Sequence, residues 1–238
     1  MVGISPIESL DERHRRAILD GSALMAVEAS GGVWQAGDPA EFFVVPIHGY
    51  MEVVRPSLDG EEVLMGLFGP GDAVGLGVCM AQEVFPATAR ALATGLEFLK
   101  IPSRALTLLP VAVREPWLQR LSHKHQRVLL NKIDLLAAKT VDERIRVCLA
   151  QLIERFGVWQ GAGTAHLPVP LTKTQLSRLI DARVETTIRA LSRWERDGIN
   201  IEWGRELGIV VRDPEVLALA RARAHGLPAM AGVARMGH

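Results

Sequence analysis

The spacing of apolar side chains changes midway along the chain. From Ser22 to Ile101, short apolar runs alternate with segments rich in Gly, Pro and Asp. Examples of these runs are 42–45, 50–54, 62–68 and 96–101. Runs of this kind, separated by turn-forming residues, predict an antiparallel β-barrel or sandwich. Beyond Pro116 the apolar residues instead recur at steps of three and four, which predicts helices.

Local capping and turn signals add detail to this outline. Ser5-Pro6-Ile7-Glu8 offers a capping residue, a proline at the first helical position and an acid in the first turn, so a short helix is predicted there. Asp59-Gly60 is the strongest hairpin signal, because both central residues of a type I′ turn need positive φ. Thr140-Val141-Asp142-Glu143 is a capping box that predicts the start of a helix ending near Phe156. The Gly- and Ala-rich tail is predicted to be disordered.

The long helix predicted after Pro116 carries a row of apolar residues. The row consists of Leu118, Leu121, Val128, Leu129, Ile133 and Leu136. A helix of this length is unusual as an isolated element, so we expect it to pack against a copy of itself in a homodimer. The alternative is that the same row covers the β-barrel as an ordinary core helix.

Residues 171–211 predict two short helices, a sharp turn and a two-stranded ribbon. Thr172 is positioned to cap the first helix, which ends near Ile180, and Asp181 lies at the turn. The second helix is predicted from Val184 to Asp197, and Trp203-Gly204-Arg205 can form the turn of the ribbon. This order of elements is typical of a winged helix-turn-helix, which places one helix in the major groove of DNA.

The two helices are expected to divide their residues between a packed side and a solvent side. The packed residues are predicted to be Leu176, Leu179 and Ile180 on the first helix and Ile188, Leu191 and Trp194 on the second. The second helix also carries Glu185, Arg189, Arg193 and Arg196 at three- and four-residue steps, which gives it a mostly cationic face. The alternative is an ordinary solvated helix in which Glu185 pairs with Arg189.

If the second helix binds DNA, its side chains have distinct roles. Arg189 can donate two hydrogen bonds to guanine O6 and N7, and Glu185 can accept one from a cytosine amino group. Contacts to phosphate position a protein without selecting sequence. The residues expected to make them are Thr172, Arg178, Arg183, Arg193 and Arg205.

Composition limits the other classes of function. The 27 Lys and Arg residues balance the 27 Asp and Glu residues, so attraction to DNA must come from a local arrangement of charge. The two cysteines, Cys79 and Cys148, lack the spacing of a disulfide framework or a metal site. Neither a signal peptide nor a membrane-spanning apolar segment is visible, so a cytoplasmic protein without membrane contact is expected. No catalytic constellation is apparent, and the chain is not predicted to be an enzyme.

Segments 184–189 and 191–198 together resemble the Crp/Fnr family of bacterial transcription regulators. The likeness extends over residues 15 to 223 and includes Gly49, the 68–75 segment and Asp142-Glu143-Arg144. It implies an α+β fold with a cyclic-nucleotide-binding-type β-barrel (a double-stranded jelly roll), a dimerisation helix and a winged helix-turn-helix. The implied boundaries are 1–112 for the sensor barrel, 113–138 for the dimerisation helix, 139–223 for the DNA-binding domain and 224–238 for the tail.

The resemblance also implies partners and residue roles. The partners are a pseudo-palindromic DNA operator, a second copy of the chain and RNA polymerase, and Glu185 and Arg189 correspond to the family's base-reading pair. Asp181 stands where the family usually has a turn glycine, but aspartate tolerates the left-handed region better than most residues. Arg183 replaces a small hydroxyl residue, and Val184 and Ile188 replace polar base-contacting residues. These departures leave the half-site open beyond a core G·C pair.

The segment expected to form the effector pocket differs from that of nucleotide-binding members. Those members supply a glutamate for the ribose and an Arg-Ser pair for the cyclic phosphate, whereas this chain has Leu76 and Pro86-Ala87 at those places. Arg90 follows a few residues late. A buried phosphate without a charge partner is very costly, so cyclic AMP is not expected as the effector.

Other cofactors are weakly supported by the same segment. Cys79-Met80 faintly resembles the haem-ligating stretch of carbon monoxide-sensing members, without the expected histidine, and the cysteine cluster of iron-sulfur members is missing. The effector therefore stays unidentified, with a pocket expected around Leu76, Cys79, Met80, Pro86, Ala87 and Arg90. The alternative function is a ligand- or redox-sensing module, using haem or thiol at Cys79, with degenerate DNA binding.

Overall fold

The computed structural model describes residues 6–57, 62–204 and 208–224. The predicted Asp59-Gly60 turn, Arg205 and nearly all of the 224–238 tail lie outside these residues, as does the side chain of Leu129. The chain divides into two compact units, Met1–Val128 and Leu129–His238. None of the helices in the described ranges has the length and apolarity that a membrane crossing would need.

A five-stranded antiparallel sheet forms the first unit. Its strands are β1 (Ala23–Val27), β2 (Gly32–Trp34), β3 (Phe42–Pro56), β4 (Glu62–Phe68) and β5 (Thr88–Pro102). The order is β1-β5-β3-β4, and β2 also pairs with β5. The two apolar runs predicted as separate strands at 42–45 and 50–54 are parts of β3, which bends at Gly49. Gly49 has a φ of 80°, and a Cβ there would lie 2.3 Å from the Gly95 carbonyl oxygen, so the bend requires glycine.

Strand β3 lies between two apolar cores, because its successive side chains point to opposite faces of the sheet. Phe43 and Val45 pack with the N-terminal helices, whereas Val44 packs on the opposite side with Trp34 and Phe85. The N-terminal helices are a 3₁₀ turn (Pro6–Ser9), α1 (Glu12–Asp20), α2 (Leu76–Ala81) and α3 (Ser103–Leu106). The helix predicted at Ser5–Glu8 is therefore only a 3₁₀ turn, because the α-helical cap is Asp11, which accepts a hydrogen bond from the His14 backbone N–H.

The long helix α4 spans Val111–Ala137, so it begins before Pro116, which lies inside it. Its predicted apolar row divides into two parts. Leu121 is only 8% exposed and packs with Trp117 in the core of the first unit, and Leu118 packs against the same cluster. Assigning Leu121 to a subunit interface is therefore wrong, because this side chain is already covered within its own chain.

The C-terminal part of α4 is different. Ile133 is 63% exposed, and Leu136 and the unpredicted Leu130 are also exposed. Val128 is half-buried. This end of the helix therefore offers an uncovered apolar surface of the kind that a second subunit could bury.

The second unit combines four further helices with a small sheet. The helices are α5 (Val141–Phe156), α6 (Lys173–Leu179), α7 (Val184–Arg196) and α8 (Pro214–Ala224). The strands β6 (Val158–Trp159), β7 (Ala165–Leu167), β8 (Ile201–Gly204) and β9 (Gly208–Val211) form an antiparallel sheet in the order β6-β7-β9-β8. The predicted two-stranded ribbon is the β8–β9 half of this sheet, and the predicted capping box at Thr140 and Glu143 is present.

Candidate nucleic-acid interface

Helix α6 begins at a complete capping box. The Thr172 hydroxyl oxygen accepts a hydrogen bond of 3.1 Å from the Gln175 backbone N–H, and the Gln175 side-chain oxygen accepts one of 3.0 Å from the Thr172 backbone N–H. Such reciprocal bonds satisfy N–H groups that the helix cannot satisfy internally. The hydroxyl of Thr172, predicted to contact phosphate, is thus already engaged in fixing the start of α6.

The turn between α6 and α7 depends on one left-handed residue. Asp181 has a φ of 53°, as the comparison with a turn glycine predicted. The backbone N–H of Ala182 donates a 3.0 Å hydrogen bond to the Ser177 carbonyl, which closes the turn. The chain can therefore leave α6 and enter α7 within a few residues.

Two cationic side chains hold the C-terminal end of α6. The Arg144 guanidinium donates to the carbonyls of Ile180 and Asp181 at 3.2 and 3.0 Å, and the Lys132 ammonium donates to the Leu179 carbonyl at 2.9 Å. Burial lowers the pKa of Lys132 below its usual value. Positive charge at the carbonyl end of a helix is favourable, so Arg144 and Lys132 fix the turn as well as α6. Sequence reasoning missed both roles.

The inner side of α7 is formed by Thr187, Ala190, Leu191 and Trp194, which are all buried. The Thr187 hydroxyl donates a 3.1 Å hydrogen bond to the Arg183 carbonyl, which satisfies this polar group inside the core. The prediction that Ile188 packs inward is wrong, since this side chain is 40% exposed. The small Thr187 occupies the tightly packed position instead.

Asp142 on α5 anchors the far end of α7. One of its carboxylate oxygens accepts a 2.5 Å hydrogen bond from the Trp194 indole N–H, and the other accepts one of the same length from Arg193. Burial alone would raise the pKa of Asp142, but the bonds from Arg193 and Trp194 outweigh it and lower the pKa. Arg193, predicted as a phosphate contact, is thus partly occupied within the protein.

The outer side of α7 presents Glu185, Ile188, Arg189 and Ser192 to solvent. We call this surface the outward face. Spacings of three, four and seven residues place these side chains on one side of a helix. Within the described ranges, no ion pair or hydrogen bond engages the side chain of either Glu185 or Arg189. The ion pair expected for an ordinary solvated helix has therefore not formed, and both charged groups are open to a partner.

Two further candidate phosphate contacts, Arg183 and Arg178, come shortly before α7 in the chain. Arg183 is the exposed residue that precedes α7, where its side chain makes no capping bond. Arg178 is half-buried in the last turn of α6.

The six residues expected around an effector occupy three different surroundings. Leu76 and Cys79 are buried in the core that holds Phe43, and Ala87 is also buried. Met80 and Pro86 are exposed. Arg90 lies on β5 in a charged cluster with Glu52 and Glu62.

Two known domains match the chain. The Cyclic nucleotide-binding domain matches residues 26–109, and the Crp-like helix-turn-helix domain matches residues 143–220. The chain belongs to the Crp/Fnr family of DNA-binding transcription regulators. This membership confirms the predicted resemblance, the α+β fold class and the assignment to a family of regulators, not enzymes.

Similar Crp/Fnr proteins include several named transcriptional activators. Transcriptional activator protein FnrA of Stutzerimonas stutzeri is 32% identical over 155 residues, which are 63% of this chain and 62% of that protein. Transcriptional activator protein anr of Pseudomonas aeruginosa is 28% identical over 227 residues, 94% of this chain and 88% of that protein. The CRP-like cAMP-activated global transcriptional regulator of Mycobacterium tuberculosis is 28% identical over 80% of this chain and 84% of that protein.

Solved structures show the same fold. FixK2 from Bradyrhizobium japonicum has a TM-score of 0.67 and 21% identity, over 87% of this chain and 96% of that chain. The c-di-GMP responsive global regulator CLP of Xanthomonas campestris has a TM-score of 0.65 and 23% identity, over 85% and 99%.

In this Crp/Fnr protein, Arg90 is engaged by two carboxylates. Its Nε donates to Glu52 at 2.5 Å, and its two terminal nitrogens donate to the two carboxylate oxygens of Glu62 at 2.9 and 2.6 Å. Glu52 faces Arg90 across the β3–β5 pair and is only 4% exposed. The hydrogen bonds that Arg90 donates to Glu62 and Glu52 raise the pKa of Arg90 further above its usual value.

The core on the other side of β3 contains three packed aromatic rings. Trp34 stacks on Phe85 with ring centres 4.3 Å apart, and Phe42 meets both rings edge-on. The Trp34 indole N–H donates a 2.9 Å hydrogen bond to the Ala87 carbonyl. Ala87 therefore helps hold an aromatic cluster in place.

Cys79 lacks the environment of a reactive thiol. Burial raises its pKa to about 11, so the thiol is protonated at neutral pH. Reactive cysteines need thiolate character and access, and Cys79 has neither. Among the described residues, no group of three or more His, Cys, Asp and Glu side chains is placed to hold a metal ion.

Proposed function

We propose that this regulator binds a pseudo-palindromic operator as a homodimer and reads bases with Glu185 and Arg189. The observation that carries the proposal is the outward face of α7, where both charged groups are exposed and unpaired within the described ranges. The opposite side of the helix is fixed by Asp142 and by the α6 turn. A rigid helix with free hydrogen-bonding groups on its outer side suits the major groove.

Phosphate contacts are proposed around this face. Arg183 is the best placed, because its side chain is exposed where α7 begins. Backbone N–H groups and positive charge at a helix start favour phosphate. The other proposed phosphate contacts rank lower, and they are Arg178, Arg193, Arg205 and Thr172. Arg178 is half-buried, Arg193 is paired with Asp142, and the Thr172 hydroxyl is engaged in the capping box.

The homodimer is proposed to form through the C-terminal half of α4. Leu130, Ile133 and Leu136 recur at three-residue steps and are exposed, which leaves apolar surface for a second copy of the helix to cover. Residues 1–112 would then be a sensor barrel, 113–138 the dimerisation helix and 139–223 the DNA-binding domain. Two-fold symmetry would place the half-sites about 34 Å apart, and RNA polymerase would be the further partner at a promoter.

Cyclic AMP is not proposed as the effector, although a relative carries that ligand in its name. An anionic phosphate needs an uncompensated cation in its pocket, and Arg90 is already neutralised by Glu52 and Glu62. Leu76, at the place of the family's ribose-binding glutamate, lies in the apolar core. The effector, if there is one, has different chemistry.

The proposed function is tested by selecting bound duplexes from a random pool with the full chain. We expect a two-fold symmetric site with a G·C pair in each half. Arg189→Ala should bring the affinities for selected and scrambled duplexes close together, a loss of about 1 to 3 kcal/mol of discrimination in each half-site. Arg183→Ala is the matched control, because loss of a phosphate contact weakens both duplexes alike. A pool that yields no enriched sequence would overturn the proposal.

A second test addresses the dimer. Ile133→Glu should convert a dimer into a monomer in sedimentation experiments, because it places charge in the proposed interface. Leu24→Glu is the control, since Leu24 is similarly exposed at 60% but lies on β1 of the barrel. A wild-type chain that sediments as a monomer would disprove the proposed assembly.

The alternative of a sensing module with degenerate DNA binding predicts a different result. Such a protein would show no salt-dependent affinity for any duplex, whereas a DNA-binding regulator loses affinity steeply as salt rises. The burial of Cys79 argues against the thiol form of this alternative.

A further inference from the structure

Ile188 is an apolar residue on a face that is otherwise polar. It lies between Glu185 and Ser192 on the outward face of α7, next to Arg189, and 40% of its surface is exposed. The buried residues of α7 are Thr187, Ala190, Leu191 and Trp194, and Ile188 is not among them. Helix propensity does not account for isoleucine at this position, since β-branched residues are weak helix formers.

The position of Ile188 places it beside the groups proposed to read a G·C pair. Glu185 and Ile188 are three residues apart and so lie on the same side of the helix, about 4.5 Å apart along its axis. Arg189 is the next residue. A helix in the major groove that brings Glu185 and Arg189 to one base pair therefore brings Ile188 to an adjacent pair.

The chemistry of isoleucine restricts what it can recognise there. It has no hydrogen-bond donor or acceptor, and it would leave the polar edge of a guanine, cytosine or adenine without a partner. Thymine is the one base whose major-groove edge carries a methyl group. Contact between apolar side chains and this C5-methyl is a known form of base selection.

We propose that Ile188 selects a T·A pair beside the G·C pair of each half-site through the thymine C5-methyl group. This inference rests on the proposed function and adds a base to the operator. It also gives a role to a residue that replaces a polar base-contacting residue of the family.

The test removes that methyl group alone. Deoxyuridine pairs like thymine but lacks the C5-methyl, so each thymine of the selected operator is replaced in turn, symmetrically in both half-sites. Burying one methyl group contributes about fourfold in affinity, so the loss for two half-sites should be about fifteenfold. We expect this loss at the thymine adjacent to the G·C pair, measured by competition with the unmodified duplex and the full-length chain.

The Ile188→Ala variant tests whether Ile188 is the side chain that contacts the thymine methyl group. In this variant the deoxyuridine duplex and the thymine duplex should bind almost equally, because alanine lacks the γ and δ carbons with which isoleucine would reach the methyl group. Ser192→Ala is the matched control on the same face and should keep the full deoxyuridine penalty. Both substitutions lie at exposed positions, and unchanged thermal melting of the variants shows that they are folded.

Two results would overturn the inference: equal binding of the thymine and deoxyuridine duplexes by the wild-type chain, or a penalty that persists in Ile188→Ala. Failure of the proposed function itself has a different signature, which is the absence of any selected duplex or of any Arg189→Ala effect. Selection of an operator with intact Arg189 dependence but no methyl dependence would therefore reject only the role of Ile188.

Discussion

Arg90 in the barrel and Arg189 on α7 carry the same guanidinium in opposite surroundings. Arg90 donates to Glu52 and to both oxygens of Glu62, whereas Arg189 is exposed and has no side-chain partner in the part of the chain that the structure describes. A guanidinium that is paired with carboxylates inside the protein stabilises the fold, and one without such a partner is available to a ligand. This difference supports the proposal that the residues that read DNA lie on α7.

The comparison extends to the residues that surround each arginine. Around Arg90, the Glu52 carboxylate is buried and depends on the guanidinium for its charge partner. Around Arg189, the helix itself is held by partly buried hydrogen bonds that Trp194 and Thr187 donate, while the outer groups are exposed. Rigid support beneath free side chains is the arrangement that lowers the entropic cost of binding.

The largest expected effect separates the two arginines by stability. Arg90→Met should lower the free energy of unfolding by about 3 kcal/mol, because it leaves the buried Glu52 carboxylate without its guanidinium partner. Arg189→Met should change it by no more than about 0.5 kcal/mol, since the side chain is exposed. Urea denaturation of the two variants and the wild type measures both values.

The roles of these two arginines in DNA binding should be reversed. Arg189→Met should lose sequence discrimination, whereas Arg90→Met, at a temperature where it is folded, should retain it. If Arg90→Met and Arg189→Met lost the same amount of stability, the contrast between a paired and an unpaired guanidinium would be wrong.

The second prediction concerns Arg144, which connects three carbonyls of the second unit. Arg144→Met should destabilise the protein by about 2 kcal/mol, because the carbonyls of Ala138, Ile180 and Asp181 each lose a charged donor. DNA affinity should fall alike for selected and scrambled duplexes, since the turn loosens but the outward face keeps its residues.

Arg155→Met supplies the control for this prediction. Arg155 lies on the same helix, where its guanidinium stacks over Phe156, and the substitution should leave the DNA affinity unchanged. If Arg144→Met kept the DNA affinity of the wild type, the α6 turn would not depend on the hydrogen bonds from Arg144.

The features that sequence reasoning predicted correctly depend on neighbouring residues. The Thr140 and Thr172 caps and the left-handed Asp181 are set by interactions across three or four residues, and all three are observed. The antiparallel sheet was also predictable, because short apolar runs and turn residues define strands locally.

The features that escaped prediction depend on distant partners. Arg90 is neutralised by residues 28 and 38 positions away, which no local pattern reveals. Helical spacing allowed either Thr187 or Ile188 to face inward, and close packing with a hydroxyl bonded to the backbone selected the smaller residue. Leu121 was assigned to a second subunit because a helical row does not say which neighbour covers it.

The third prediction uses pH to examine the anchor of α7. Because Asp142 has a lowered pKa in the folded protein, its contribution to stability is present above the unfolded value of 3.8 and is lost as pH falls through the lower folded pKa. Asp142→Asn should therefore be less stable than the wild type at neutral pH by about 1 kcal/mol, given partial exposure of the pair. The difference should shrink as the pH falls below 3.8, as measured by urea denaturation across that range.

A difference that persisted at low pH would mean that the shape of Asp142, and not its charge, holds Arg193 and Trp194. Glu195→Gln is the control, because Glu195 is exposed on α7 and has no ion pair among the described residues. Its stability should follow that of the wild type at every pH.

The smallest expected effect tests the turn that gives α7 its direction. Asp181→Gly should stabilise the protein by about 0.5 kcal/mol or less, because glycine relieves the left-handed strain but gives the unfolded chain more freedom. Asp181→Val should destabilise it by about 1 to 2 kcal/mol, since a β-branched residue is poorly suited to a φ of 53°. Thermal melting ranks the three proteins, and a valine variant as stable as the wild type would show that the turn had found another conformation. In that case α7 would point in a different direction. Binding of the selected operator would then no longer depend on Arg189, although every side chain of the outward face is still present.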